Sequence, residues 1–80
     1  MPEFQGGSLE TYYFDLKDGV PVRDRHGLDF PAASHAIEHA RNMARRINQE
    51  GPPKDPALAI IVLNEAGSEI HRERVYRQPD

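Results

Sequence analysis

A chain of 80 residues, 38% hydrophobic and carrying a formal charge of −3, has room for one domain, because at this length folding buries only ~60–65% of the surface that the unfolded chain exposes; that size speaks against a deep catalytic cleft between subdomains. The absence of cysteine excludes disulfides, thiolate chemistry and cysteine-based zinc sites, and makes a reducing cytoplasm the expected location. No stretch approaches the ~20 apolar residues of a membrane helix, the N-terminus lacks the basic start and apolar run of a signal peptide, and the net acidity argues against wholesale nucleic-acid binding.

Residues 1–10, with Gly6-Gly7-Ser8 and no periodicity, read as a flexible leader before a single domain over 11–77 and a polar tail over 78–80. From Thr11, the residues Tyr12, Phe14 and Leu16 alternate with Thr11, Tyr13 and Asp15, which predicts a half-buried strand without deciding which tyrosine faces the core. Asp18-Gly19 supplies a tight turn, and the return strand, Val20 to about Asp24, belongs at a sheet edge because Pro21 has no N–H to give to a ladder. His26-Gly27 marks a second turn, followed by a short extended piece, Leu28 to Phe30.

The pattern then changes period. Ala33, Ala36, Ile37, Ala40, Met43, Ala44 and Ile47 recur at three- and four-residue steps, predicting one amphipathic helix from about Pro31, seated in the first turn, to Gln49. Gly51 and Pro52-Pro53 end it and open a loop to Pro56. Ala57 to Leu63 is a continuous apolar run that reads as a central strand, and Glu65-Ala66-Gly67 is a hairpin loop before a charged last strand, Glu69 to Tyr76. Assembled, the class is α+β: an antiparallel sheet of about four strands with one amphipathic helix packed on one face, in the order β-β-α-β-β. A single helix leaves the other sheet face open. If Leu58, Ile60 and Val62 meet the helix, Ala59, Ile61 and Leu63 are expected there, and in the opposite register the two sets exchange; either way an apolar surface is left for a second copy or a protein partner, unless the loop and leader cover it.

Tyr12-Tyr13-Phe14-Asp15, Asp18-Gly19, Arg23-Asp24-x-x-Gly27, the Phe30-Pro31 approach to an alanine-rich helix and Asn64-Glu65-x-Gly67 together resemble a family of short bacterial proteins known as a domain of unknown function. The resemblance spans about residues 11–76, though the leader is longer than is usual there. It implies a bacterial cytoplasmic protein and carries over no catalytic residues. The order of elements is also similar, at the level of the fold alone, to HicB-type antitoxins, whose small domain binds a protein toxin.

Three constellations bear on chemistry. His35-Ala36-Ile37-Glu38-His39 matches the H-x-x-E-H string of inverted zinc peptidases, and histidines four apart share a helical face. A catalytic zinc needs a third ligand and a substrate cleft, so a solvated helix face is the expected reading and His35 and His39 are at most a weak metal site. Arg41, Arg45 and Arg46 fall near the helix C-terminus, where the dipole favours cations, and Glu38 is spaced to pair with Arg41. With Arg72 and Arg74 on the last strand they form the candidate basic surface for an acidic partner or nucleic acid. Tyr12, Tyr13 and Phe14 lie between Glu10 and Asp15 rather than basic residues, which favours packing over base stacking. The expectation is a non-enzymatic protein-interaction module that associates with itself or with a protein partner through Ala59, Ile61 and Leu63 or through the arginines. No cofactor is called for. The alternative is a weak nucleic-acid-binding or antitoxin-like regulator using Arg41, Arg45, Arg46, Arg72 and Arg74.

Overall fold

A computed structural model describes residues 9–17, 21–50 and 57–76. The Asp18-Gly19 turn, the loop over 51–56, nearly all of the leader and the tail lie outside the described residues. The elements are β1 (Glu10–Lys17), β2 (Pro21–Val22), β3 (Leu28–Phe30), α1 (Ala33–Gln49), β4 (Ala59–Leu63) and β5 (Glu69–Arg74). All pairings are antiparallel, in the order β2-β1-β4-β5, with β3 also paired to β1. This is the α+β architecture read from the sequence, with one difference: the return strand stops at Val22, and after a break the expected extended piece, Leu28–Phe30, pairs with β1 as a separate strand, β3.

The reason for the break is Asp24. After Val22 the chain leaves the ladder, and the Phe14 N–H that a continuous strand would have bonded instead donates to the Asp24 carboxylate at 3.2 Å. The other oxygen of that carboxylate accepts from the N–H groups of His26 and Gly27 at 2.9 and 3.1 Å. The Asp24 N–H in turn donates to Asp15 at 2.8 Å. Gly27 takes φ +69° and lies so close to β1 that an added Cβ would stand 2.7 Å from Thr11 Cγ2 and 2.8 Å from the Tyr12 carbonyl oxygen. Only glycine meets both conditions. Pairing then resumes, with Leu28 opposite Tyr12 and Phe30 opposite Glu10.

Period-2 alternation places Tyr12 and Phe14 on the face that meets the helix, where they pack with Ile60, Val62, Val75, Ala36, Ala40 and Ala44. Tyr13 is the half-buried tyrosine of the opposite face. Ile60 and Val62 are fully enclosed, each side chain contributing ~1.5–3 kcal/mol by burial. The three buried helix residues are all alanine, with Met43 and Ile47 packing beside them, whereas Ala33, expected in the stripe, is exposed. Ala33 is the first helical residue and Ala32 is extended, at φ −154° and ψ 156°. Pro31 therefore precedes the helix instead of occupying its first turn.

The β4–β5 hairpin follows the expected turn chemistry. The Gly67 N–H donates to the Asn64 carbonyl, and the Asn64 side-chain oxygen accepts from Ala66 and Ser68 at 3.0 and 2.9 Å. Gly67 supplies the positive φ, +81°, that returns the chain to β5.

Candidate functional site

On the sheet face away from α1, the register aligns three rows across β1, β4 and β5: Tyr13-Leu63-Glu69, Asp15-Ile61-Arg72 and Lys17-Ala59-Arg74. Ala59, Ile61 and Leu63 are thus brought together as the sequence suggests. Their exposure is not what the open-face argument expects, since Ala59 and Ile61 are only 5% and 6% exposed within a single chain. Flanking strands supply long side chains whose stems shield the central column while their charged heads stay in water. A hollow of about 360 Å³ on this face is lined by Asp15, Lys17, Arg23, Ile61, Glu69 and Arg72, with Leu63 and Gly67 at one end. Arg72 is gripped by Glu69 through two parallel bonds of 3.2 Å. That hydrogen-bonded fork holds the Glu69 carboxyl below its usual range and raises the guanidinium.

The remaining arginines divide. Arg41 and Arg45, one turn apart on α1, line a second hollow with Arg74 at the end of β5. Arg46, in the last turn of the helix, is exposed and does not line it. Arg72 and Arg74 alternate onto the sheet face away from α1. The five arginines therefore do not form one basic surface, and Glu38 and Glu73 stand beside Arg41 and Arg45.

The two histidines separate as well. His35 is exposed, but the His39 ring packs edge-on to Phe14 at 5.0 Å and against Phe30 at 5.4 Å. His39 is thus a half-buried packing residue and does not share the solvated face expected for both. No cluster of three metal-ligating His, Cys, Asp or Glu side chains occurs among the described residues.

Sequence reasoning missed Asp15, Lys17, Arg23 and Glu69 as the rim of the open face, and Asn48 and Glu73 as part of the arginine hollow. The period-2 alternation of β1 already carried Asp15 and Lys17 to the face of Tyr13. Asp24 and Gly27 are structural: burial alone would raise the Asp24 carboxyl, but the N–H donors of His26, Gly27 and Phe14, aided by the His26 charge, outweigh it and hold the group below its ordinary value. Tyr12 donates its hydroxyl to Glu10 at 2.9 Å, a bond that raises the phenol, with burial acting in the same direction.

These features define a small α+β domain of one helix on an antiparallel sheet, with an uncovered face bordered by charges. Its turn residues Asp24, Gly27, Asn64 and Gly67 fall within residues 11–76, the span matched by the family described as a domain of unknown function, DUF6894. The chain belongs to that family. No curated protein and no solved structure matches it. No helix among the described residues is long and apolar enough to cross a membrane.

Proposed function

We propose that the domain is a non-enzymatic protein-interaction module that pairs with a second copy of itself through the open face of the sheet, in the reducing cytoplasm that its lack of cysteine suits. The observation that carries this reading is the central row, Asp15-Ile61-Arg72. It sets an acid and a base at equal distances on either side of an apolar centre. If two faces stack with a two-fold axis along β4, Ile61 meets Ile61, and Asp15 of each copy lies opposite Arg72 of the other. Such a surface is self-complementary, as an isologous interface requires. Lys17 then lies toward Arg74 of the second copy, but at the exposed rim, where solvent and salt screen the repulsion.

Because Ala59 and Ile61 are already largely covered, association gains apolar area chiefly from Leu63, Tyr13 and the stems of Lys17 and Arg72. A reversible dimer is the consequence. Sedimentation equilibrium from micromolar to millimolar protein tests it. The wild type is expected to pass from monomer to dimer, R72E and D15R to remain monomeric, and an equimolar mixture of the two variants to associate again as the charge pairs are restored. A wild type that stays monomeric throughout, or an R72E variant that dimerises undiminished, defeats the reading.

The alternative, a nucleic-acid-binding or antitoxin-like regulator, draws on Arg41 and Arg45, one turn apart on α1 beside the end of β5. Salt-sensitive binding to a duplex by the monomer would favour it.

A further inference from the structure

A third hollow, of about 330 Å³, lies on the helix side of the sheet, away from the face assigned to the dimer. Phe14 and Leu16 of β1 form its floor, His39 and Met43 of α1 one wall, and Val22 and Leu28 of β2 and β3 the other. The register explains this gathering: Val22 pairs with Leu16 and Leu28 with Tyr12, which sets both on the face that meets the helix. The space between them opens because the chain leaves the ladder after Val22, and the Phe14 N–H is capped by Asp24 instead of by a strand residue. Val22 and Leu28 are 61% and 47% exposed, two of the three large apolar side chains that stay in water among the described residues.

The polar groups around this hollow narrow what it can hold. The His39 ring is fixed by packing edge-on to Phe14 at 5.0 Å and against Phe30 at 5.4 Å, yet its nitrogens make no hydrogen bond among the described residues. An imidazole carries at least one N–H donor, and when neutral it also offers an acceptor. Arg23 and Asp24 close the hollow where the chain leaves the ladder. They are one base and one acid side by side, and the Asp24 carboxylate already accepts from three backbone N–H groups. The rim therefore offers no net charge, and a charged ligand would find nothing there to offset its lost hydration. Phe14, His39 and Met43 supply two rings and a thioether, surfaces that favour an aromatic ring.

We propose that this hollow is a ligand site for a small neutral aromatic alcohol of the phenol class. The ring lies over Phe14, between His39 and Met43 on one side and Val22 and Leu28 on the other, and its hydroxyl bonds to a ring nitrogen of His39. A volume at the lower end of the range for ligand pockets suits a single ring. Binding withdraws Val22 and Leu28 from water, which is the apolar part of the gain.

The test is titration of the nitrogen-labelled full chain with phenol, toluene and benzoate at constant ionic strength, followed by amide chemical shifts. Saturable shifts at residues 14–16, 22–28 and 39–43 are expected with phenol and toluene, and several-fold weaker binding of benzoate. H39F, which keeps a ring in the aromatic cluster but removes both nitrogens, is expected to weaken phenol roughly fivefold and to leave toluene unchanged. V22S, at an exposed position, is expected to weaken both several-fold, and L9S, at the exposed apolar residue outside the hollow, to weaken neither. The proposal is overturned by shifts that never saturate, by benzoate binding as tightly as phenol, or by phenol affinity indifferent to either H39F or V22S. It is equally overturned if the same amides, rather than those of the open face, move on dilution of the protein alone, which would assign the hollow to a second copy.

Discussion

Asp24 does three things with one carboxylate: it caps the Phe14 N–H left by the departing strand, closes the turn at His26 and Gly27, and keeps both oxygens occupied. Asparagine has the same shape but only one acceptor oxygen, so D24N must set an NH₂ group against a backbone N–H on one side or the other. D24N is expected to lose about 2 kcal/mol at neutral pH, since hydrogen bonds to a charged group contribute ~1.5–3 kcal/mol each; urea unfolding measures it. The folded-state value of this carboxyl is depressed, so its stabilisation is fully present above the ordinary carboxyl value of ~3.9 and is lost as pH falls through the lower folded value. The gap between wild type and D24N should therefore narrow below about pH 4. Gly27→Ala carries two penalties, a positive φ and a Cβ pressed onto Thr11 and the Tyr12 carbonyl. A loss of at least ~1–3 kcal/mol in the same unfolding assay is the expected outcome.

At the level of elements, the helix meets the sheet through Ala36, Ala40 and Ala44. Small side chains let the helix approach closely enough for Ile60 and Val62 to be fully enclosed, while Met43 and Ile47 fill the flanks. Enlarging the seam should push the layers apart. Ala40→Leu is expected to cost about 2 kcal/mol by overpacking, whereas Ala33→Leu, at an exposed position in the first turn, should change the urea midpoint by less than ~0.5 kcal/mol in stability. Equal effects at the two positions would contradict the packing described here. The same seam explains His39. Its ring completes an aromatic cluster with Phe14 and Phe30, a packing role that the H-x-x-E-H string does not reveal, because a motif of spacings contains no information about which residues stand across from the helix.

For the molecule as a whole, one helix on a sheet leaves one face uncovered, and the described pairings leave β5 as the outer strand on one side and β2 and β3 on the other. Self-association through that face has a thermodynamic signature beyond sedimentation: binding that favours the folded state makes the unfolding temperature rise with protein concentration, and R72E should abolish the rise. The α+β class, the helix, the central apolar strand and the Asn64–Gly67 hairpin were legible from the sequence because each rests on local rules, namely period, turn chemistry and the missing N–H of proline. The turn at His26-Gly27 was legible as well, but the end of the ladder at Val22 was not, since it depends on an aspartate reaching across to the N–H of Phe14, ten residues earlier in the chain. Likewise, the sequence by itself determined that Ala59, Ile61 and Leu63 share a face and that the helix carries arginines. Only the tertiary structure decided that neighbouring strands largely cover Ala59 and Ile61, and that Arg72 and Arg74 share the sheet face turned away from the helix that bears Arg41 and Arg45. Alternation and helical period assign a side chain to a face of its own element. Which faces meet is set by long-range pairing and packing.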